Sequence, residues 1–215
     1  MKRFLWTILA PLLVSCSLNV YLPMGSVVPL PADHNEGYGA QMVFYRGDGY
    51  YDGESTGGVG VAFHRGVGKN PYRMRFGGYF YGGNYMKDGG YLYSGGFGYM
   101  GAEYVFPLEN LEFFFGIENG LGLEVGPYVE SLVYSYEFFN SSTMVIIPRA
   151  TWIAGLRIFS GPVTSSVRLS LGLPSGIGLM VEHESGLFVN AGAVFMSTSP
   201  GERVMWYGNI GMSFR

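Results

Sequence analysis

The stretch from Val145 to Gly172, VIIPRATWIAGLRIFSGPVTSSVRLSLG, decides the fold. Taken by alternate residues from Pro148, one face carries Pro148, Ala150, Trp152, Ala154, Leu156 and Ile158, and the other Arg149, Thr151, Ile153, Gly155 and Arg157. Ser160-Gly161-Pro162 is turn chemistry. Beyond it the alternation restarts, with Val163, Val167, Leu169 and Leu171 against Thr164, Ser166, Arg168, Ser170 and Gly172. A period of two with unlike faces marks β-strands. The apolar face, broken only by Ser165, suits either of two solvents. A soluble sandwich would bury it in a core; a transmembrane barrel would turn it to lipid and the arginine-bearing face inward.

Composition weighs on that choice. Only 13% of the 215 residues are charged, while 17% are aromatic, with 17 Tyr and 16 Phe. The charged share is about half that of an ordinary soluble domain. The 35 glycines follow no fixed period, which excludes collagen and low-complexity readings. A formal charge of −3 offers nothing for nucleic acid.

The same alternation runs through most of the chain. Tyr38, Ala40, Met42 and Phe44 share a face in 37–46; Val59, Val61 and Phe63 share one in 58–64. In 72–81, Tyr72, Met74, Phe76 and Phe80 oppose Arg73, Arg75, Tyr79 and Tyr81. A Gly- and Tyr-rich strand follows over 91–104, then Leu111, Phe113, Phe115 and Ile117 oppose Glu112, Phe114, Gly116 and Glu118. Asn119-Gly120 is a turn signal, and 127–139 is either a strand or an excursion. Further strands are expected over 176–183, 187–196 and 204–214. The count is ten or eleven. Single-chain bacterial barrels have an even number, so the expected fold is all-β, an antiparallel up-and-down transmembrane β-barrel of about 10 strands, with 8 or 12 open.

The mid-strand charges Arg73, Arg75, Glu112, Glu118, Arg149, Arg157, Arg168 and Glu182 all fall opposite the apolar residues. A lone arginine at the lipid midplane costs roughly 2–4 kcal/mol. Inside a narrow barrel these groups pair with one another and with tyrosines. A water-facing surface would be filled with Lys and Glu, yet lysine occurs only as Lys2, Lys69 and Lys87. These charges are therefore expected to form an interior network, with Trp152 and Trp206 among the aromatics at the membrane interface. A barrel of this size holds side chains rather than a wide aqueous pore.

The N-terminus reads as an export leader: Lys2-Arg3, then an apolar core over 4–14 too short to span as a helix. Leu13-Val14-Ser15-Cys16 resembles the bacterial lipobox, which implies cleavage before Cys16 and lipid attachment there, palmitate included. An ordinary leader cut after Ser17 is the alternative. Removing residues 1–15 takes Lys2 and Arg3 and changes the charge from −3 to −5. The expected organisation is a leader over 1–15, a lipidated, proline-rich tether over 16–35, and a barrel over 36–215. At the other end, Val204, Trp206, Ile210, Met212 and Phe214 resemble the C-terminal strand of bacterial outer-membrane barrels, with Gly208 and a final Arg215 as departures. The resemblance implies residence in the bacterial outer membrane, contact with its lipid, and handling by the barrel-assembly machinery through that strand.

Catalytic signals are sparse. His34, His64 and His183 share no metal-ligand spacing, so no metal or cofactor is expected. His183-Glu184-Ser185 resembles the His-x-Ser of outer-membrane lipid A deacylases, and a Ser–His pair is acyl-transfer chemistry; in a Glu-Ser-Gly turn it also reads as a strand-end polar cluster. Asp48, Asp52 and Glu54 fit an omptin-like protease or cation site, or a solvated loop. The expected function is thus non-enzymatic: an outer-membrane barrel lipoprotein with a structural or narrow-passage role. Two alternatives stand beside it, a barrel enzyme acting on membrane lipid and a soluble β-sandwich lipoprotein that binds a ligand or partner. Oligomeric state is left open.

Overall fold

The structure is a computed structural model that describes residues 37–48, 55–86, 91–126, 136–138, 142–173, 175–198 and 201–214. The expected leader, Cys16 and the expected tether lie outside the described residues. The strands are β1 (Gly37–Asp48), β2 (Ser55–Lys69), β3 (Tyr72–Met86), β4 (Tyr91–Pro107), β5 (Leu111–Gly126), β6 (Tyr136–Phe138), β7 (Ser142–Ser160), β8 (Val163–Leu173), β9 (Ser175–His183), β10 (Leu187–Thr198) and β11 (Gly201–Phe214). Each pairs antiparallel with its sequence neighbour, except that β5 pairs with β7, while the three-residue β6 adds to the upper edge of β7. β1 pairs with β11 from Tyr38↔Phe214 to Gly47↔Met205, so the sheet closes on itself. The result is a closed barrel of ten strands. Among the residues 127–139, the described part is β6 alone.

The stagger follows from the register. Stepping across paired residues from Tyr38 passes through Arg65, Phe76, Met100, Asn119 and Ala150 to Leu173. Four residues back along β8, Leu169 leads through Ile177, Ala193 and Trp206 to Arg46. Arg46 is eight residues past Tyr38, and the four-residue correction adds to it, so one circuit displaces the chain by twelve residues. Ten strands with that shear tilt by about 40° and enclose a backbone radius of about 10 Å. Side chains from opposite walls fill such an interior.

Both chain ends of the barrel and four tight turns share one rim: β2–β3 at 69–72, β4–β5 at 107–111, β7–β8 at 160–163 and β9–β10 at 183–187. Gly161 and Gly186 adopt positive φ (59° and 88°) in two of these turns, which a side chain would disfavour. The longer connections lie at the opposite rim. Outer-membrane barrels keep short turns and both termini on the periplasmic side.

Two local expectations are corrected. Asn119-Gly120 is no turn: both residues lie inside β5, paired with Met100 and Tyr99 on one side and Ala150 and Arg149 on the other. Tertiary pairing overrides the dipeptide signal, and Gly120 is kept small by the Phe97 ring lying across it. The stretches 47–56 and 82–90, which fall between the runs of alternation and would read as loops, are partly strand, because β1, β2 and β3 extend into them.

The surface is inverted relative to a water-soluble barrel. Leu, Val, Ile, Met and Phe side chains cover the outside, as along β9, where Ile177, Leu179 and Val181 point outward and Met180 and Glu182 inward. Burial follows the alternation read from the sequence; the buried side is the polar one. An exterior of this kind is stable against hydrocarbon rather than water. Near the turn rim, Tyr72, Tyr104, Phe106 and Phe115 form an outward aromatic cluster, with ring centroids 5.1 Å apart for Tyr72–Tyr104 and 4.6 Å for Tyr104–Phe106. Such rings suit the membrane–water boundary.

Candidate functional site

The barrel interior is the only place where the fold concentrates buried charge among the described residues. Near the turn rim, β3, β4, β5 and β7 project Arg73 and Arg75, Glu103, Glu112 and Arg157 inward. Strand alternation puts each on the lumen face, and the register brings opposite charges level: Arg73 pairs with Glu103, and Glu112 with Arg157.

The side chains form one continuous chain. Arg75 meets Glu103 at 2.5 Å. Arg157 bridges Glu103 and Glu112, at 3.2 Å to each. Arg73 grips Glu112 with both terminal nitrogens, at 3.1 and 2.9 Å, and donates to Asn70 Oδ1 at 2.5 Å. Arg157 also lies 4.1 Å above the Phe114 ring. Each carboxylate serves two guanidiniums, and Arg is suited to this because its planar fork reaches two acceptors at once. Arg75 and Arg157 are 2% and 1% exposed. At this end of the lumen the described side chains pack against one another.

Higher in the lumen, Arg168 on β8 meets Glu118 on β5 at 2.9 Å. Toward the loop rim the interior is tyrosine. Tyr81 donates to Glu124 at 2.5 Å, and Thr56 and Tyr93 share a hydrogen bond of 2.9 Å. Tyr79 stacks on Tyr81 with centroids 5.0 Å apart. The rings fit because glycines face them: a methyl group added at Gly77, Gly58 or Gly155 would stand inside the ring of Tyr99, Tyr45 or Phe114. On β10, β11, β1 and β2 the inward row carries amides and an imidazole instead, running Asn190, Asn209, Gln41 and His64 at one level of the wall.

The residues singled out from the sequence take different places. Arg73, Arg75, Glu112, Glu118, Arg157 and Arg168 lie in these ion pairs. Glu182 is also buried inward, but its hydrogen bond at 2.9 Å comes from Ser213 near the turn rim. Arg149 sits on β7 opposite Gly120, and its side chain lies outside the described residues. Trp206 faces outward, 65% exposed, while Trp152 on β7 is half-buried.

Two interior carboxylates escape the sequence reading, Glu103 and Glu124. Glu124 follows Glu112 and Glu118 at a spacing of six residues on one strand, hence on one face. Taking Asn119-Gly120 as a turn breaks that phase. Glu103 shares the phase of Tyr93, Tyr99 and Val105, which a count by twos along 91–107 would have marked.

His183 and Ser185 come together, with Nδ1 and Oγ 3.0 Å apart. The Ser185 backbone N–H also donates to Nδ1 at 3.2 Å, and the pair is exposed in the β9–β10 turn at the tight-turn rim. This is local turn hydrogen bonding. Asp48 ends β1; Asp52 and Glu54 lie outside the described residues. Among the described residues no group of three or more His, Cys, Asp or Glu side chains is placed to hold a metal.

No protein-family model matches the chain, and no curated protein matches it. Among solved structures, the fold is similar to the transport unit of the autotransporter AIDA-I from Escherichia coli, at 10% identity over 96% of each chain with a TM-score of 0.46. It is also similar to neisserial surface protein A, at 9% identity over 84% of this chain and 98% of that one, TM-score 0.37. The outer membrane protein Ail of Yersinia pestis is similar at 13% identity, over 83% of this chain and 100% of that one, TM-score 0.36. At these values the likeness concerns the fold alone, and the closed ten-stranded barrel rests on the strand pairings themselves. The chain is a closed, antiparallel, ten-stranded β-barrel with an apolar exterior.

Proposed function

We propose that this protein is a bacterial outer-membrane barrel with a structural role, its interior closed by side chains rather than open to solutes. The observation that carries this reading is the pairing of an apolar exterior with a packed, ion-paired interior. The exterior demands hydrocarbon. The Arg/Glu chain occupies the turn end of the lumen, where a conduit would have to pass. Catalysis is not part of the reading, since the exposed His183–Ser185 pair serves its own turn.

The reading includes a leader removed before Cys16, lipid on Cys16, and a proline-rich tether that joins this anchor to β1. It also includes delivery by the barrel-assembly machinery through β11, whose outward Trp206, Ile210, Met212 and Phe214 support recognition of an amphipathic terminal strand. Lipid of the outer membrane is the partner of the whole apolar belt.

Three measurements test this. The protein taken from the outer-membrane fraction should migrate differently on a detergent gel before and after boiling, and the Cys16→Ser form should resist alkaline carbonate. Release of that form into the soluble fraction would point to a lipid-tethered soluble domain instead. In planar bilayers the purified barrel should pass no steady ion current; sustained single-channel steps in the unmodified protein would overturn the closed-interior reading.

A further inference from the structure

The outward face carries little charge, and what it carries is of one sign. Among the described side chains that point outward from the strands there is no Asp or Glu. Three cations stand there, Arg46, Arg65 and Lys69, all exposed and all on the β1–β2 hairpin. Arg46 pairs with Trp206 toward the loop rim. Arg65 and Lys69 share one face of β2, four residues apart, toward the tight turns. Arg65 pairs with Tyr38 on β1, and its guanidinium carbon lies over the Tyr38 ring, 5.0 Å from the centroid. Lys69 pairs with Tyr72, a member of the outward aromatic cluster at that rim. Neither cation has a carboxylate partner among the described residues. The exposed Glu109 and Glu184 of the same rim lie in the turns of other hairpins.

We propose that Arg65 and Lys69, with the Tyr38 ring behind the guanidinium, form a binding site for the headgroup phosphate of an anionic phospholipid in the periplasmic leaflet. The assignment rests on the membrane reading above. A cation on a lipid-facing barrel surface is costly at the midplane and nearly free at the interface, and the rim marked by Tyr38 and Tyr72 is the interface on the tight-turn side. Cation–π attraction holds the face of the Arg65 guanidinium on the Tyr38 ring. Its N–H edge is left for an acceptor, and that edge matches two phosphate oxygens at once. Lys69 stands about 13 Å along the strand from Arg65, nearer the turn. Its long stem carries the ammonium to headgroup level, where it adds to the positive potential that draws anionic lipid. A zwitterionic headgroup gains less, because its ammonium meets cations and finds no carboxylate on this face. A second copy of this chain suits the patch poorly: a two-fold contact opposes the same patch on both subunits, which sets cation against cation.

The experiment uses the full-length protein in nanodiscs of equimolar palmitoyl-oleoyl phosphatidylethanolamine and palmitoyl-oleoyl phosphatidylglycerol, released gently so that native mass spectrometry counts the lipids it keeps. The wild type should keep phosphatidylglycerol over phosphatidylethanolamine by at least about fivefold, the weight of one cation at a membrane surface. The double variant Arg65→Gln, Lys69→Gln should keep the two lipids equally. Tyr38→Leu retains both charges but removes the ring, and its ratio should fall between these. Arg46→Gln, toward the opposite rim, should match the wild type. All four positions are exposed, and the heat-dependent gel shift reports whether each variant is folded. Equal retention of the two lipids by the wild type overturns the site while leaving the membrane reading intact, and so does a folded double variant with undiminished preference. A preference abolished by Arg46→Gln moves the anionic lipid to the loop rim and overturns the site as well. Failure of the wild type to enter nanodiscs at all counts against the membrane reading itself, and the site falls with it.

Discussion

At Glu112, two guanidiniums converge on one carboxylate, and the consequence is asymmetric. Burying the ions costs several kcal/mol each, so the pairs contribute little net stability as long as they are intact. Removing one partner leaves the others buried and uncompensated. Glu112→Gln removes the carboxylate 2.9 Å from Arg73 and leaves Arg157, 3.2 Å away, with Glu103 alone. The expected loss is about 3–5 kcal/mol, read from denaturant unfolding of the lipid-bound barrel. Adding Arg73→Met should cost less than the two separate losses together, because the pair is coupled. A strictly additive result would mean that the two groups do not interact.

At the scale of the strand, glycine and aromatic residues divide the work by face. Inward Gly77 lies under a neighbour's ring, whereas outward Gly98 is open. Gly77→Ala drives a methyl into the Tyr99 ring and should destabilise by about 1–3 kcal/mol. Gly98→Ala meets nothing within 4 Å and should stay within about 0.5 kcal/mol of wild type. Equal effects would refute the meshing of rings with glycines across strands. Strand length is set in the same way by neighbours. The β7–β8 ladder stops at Ala150 and Leu173, and Pro148, which has no amide to donate, stands just beyond it.

For the molecule as a whole, the deciding term is the solvent outside. Leu179 lies midway along β9, points outward and is 56% exposed. In a bilayer, Leu179→Arg should cost about 2–4 kcal/mol near the midplane. In water the same change would fall within about 0.5 kcal/mol. Unfolding measured in vesicles therefore separates a spanning barrel from a soluble one at a single position. A shear of twelve on ten strands also fixes the bore, so the long arginines of β3 and β7 reach across two strands to carboxylates on β5 and β4.

The sequence by itself determined the fold class, the face of nearly every strand, and the inward place of Arg73, Arg75, Glu112, Glu118, Arg157 and Arg168. A period of two is a local property, and in a barrel the two sides of a strand meet such different solvents that composition records them. The tertiary structure alone decided the strand count, which positions meet across the lumen, and that Asn119-Gly120 continues a strand. It also brought Glu103 and Glu124 into the interior set. Those depend on register and closure. Register is a relation between segments far apart in the chain, and a one-residue slip in any pairing would exchange the two faces while leaving each local pattern unchanged.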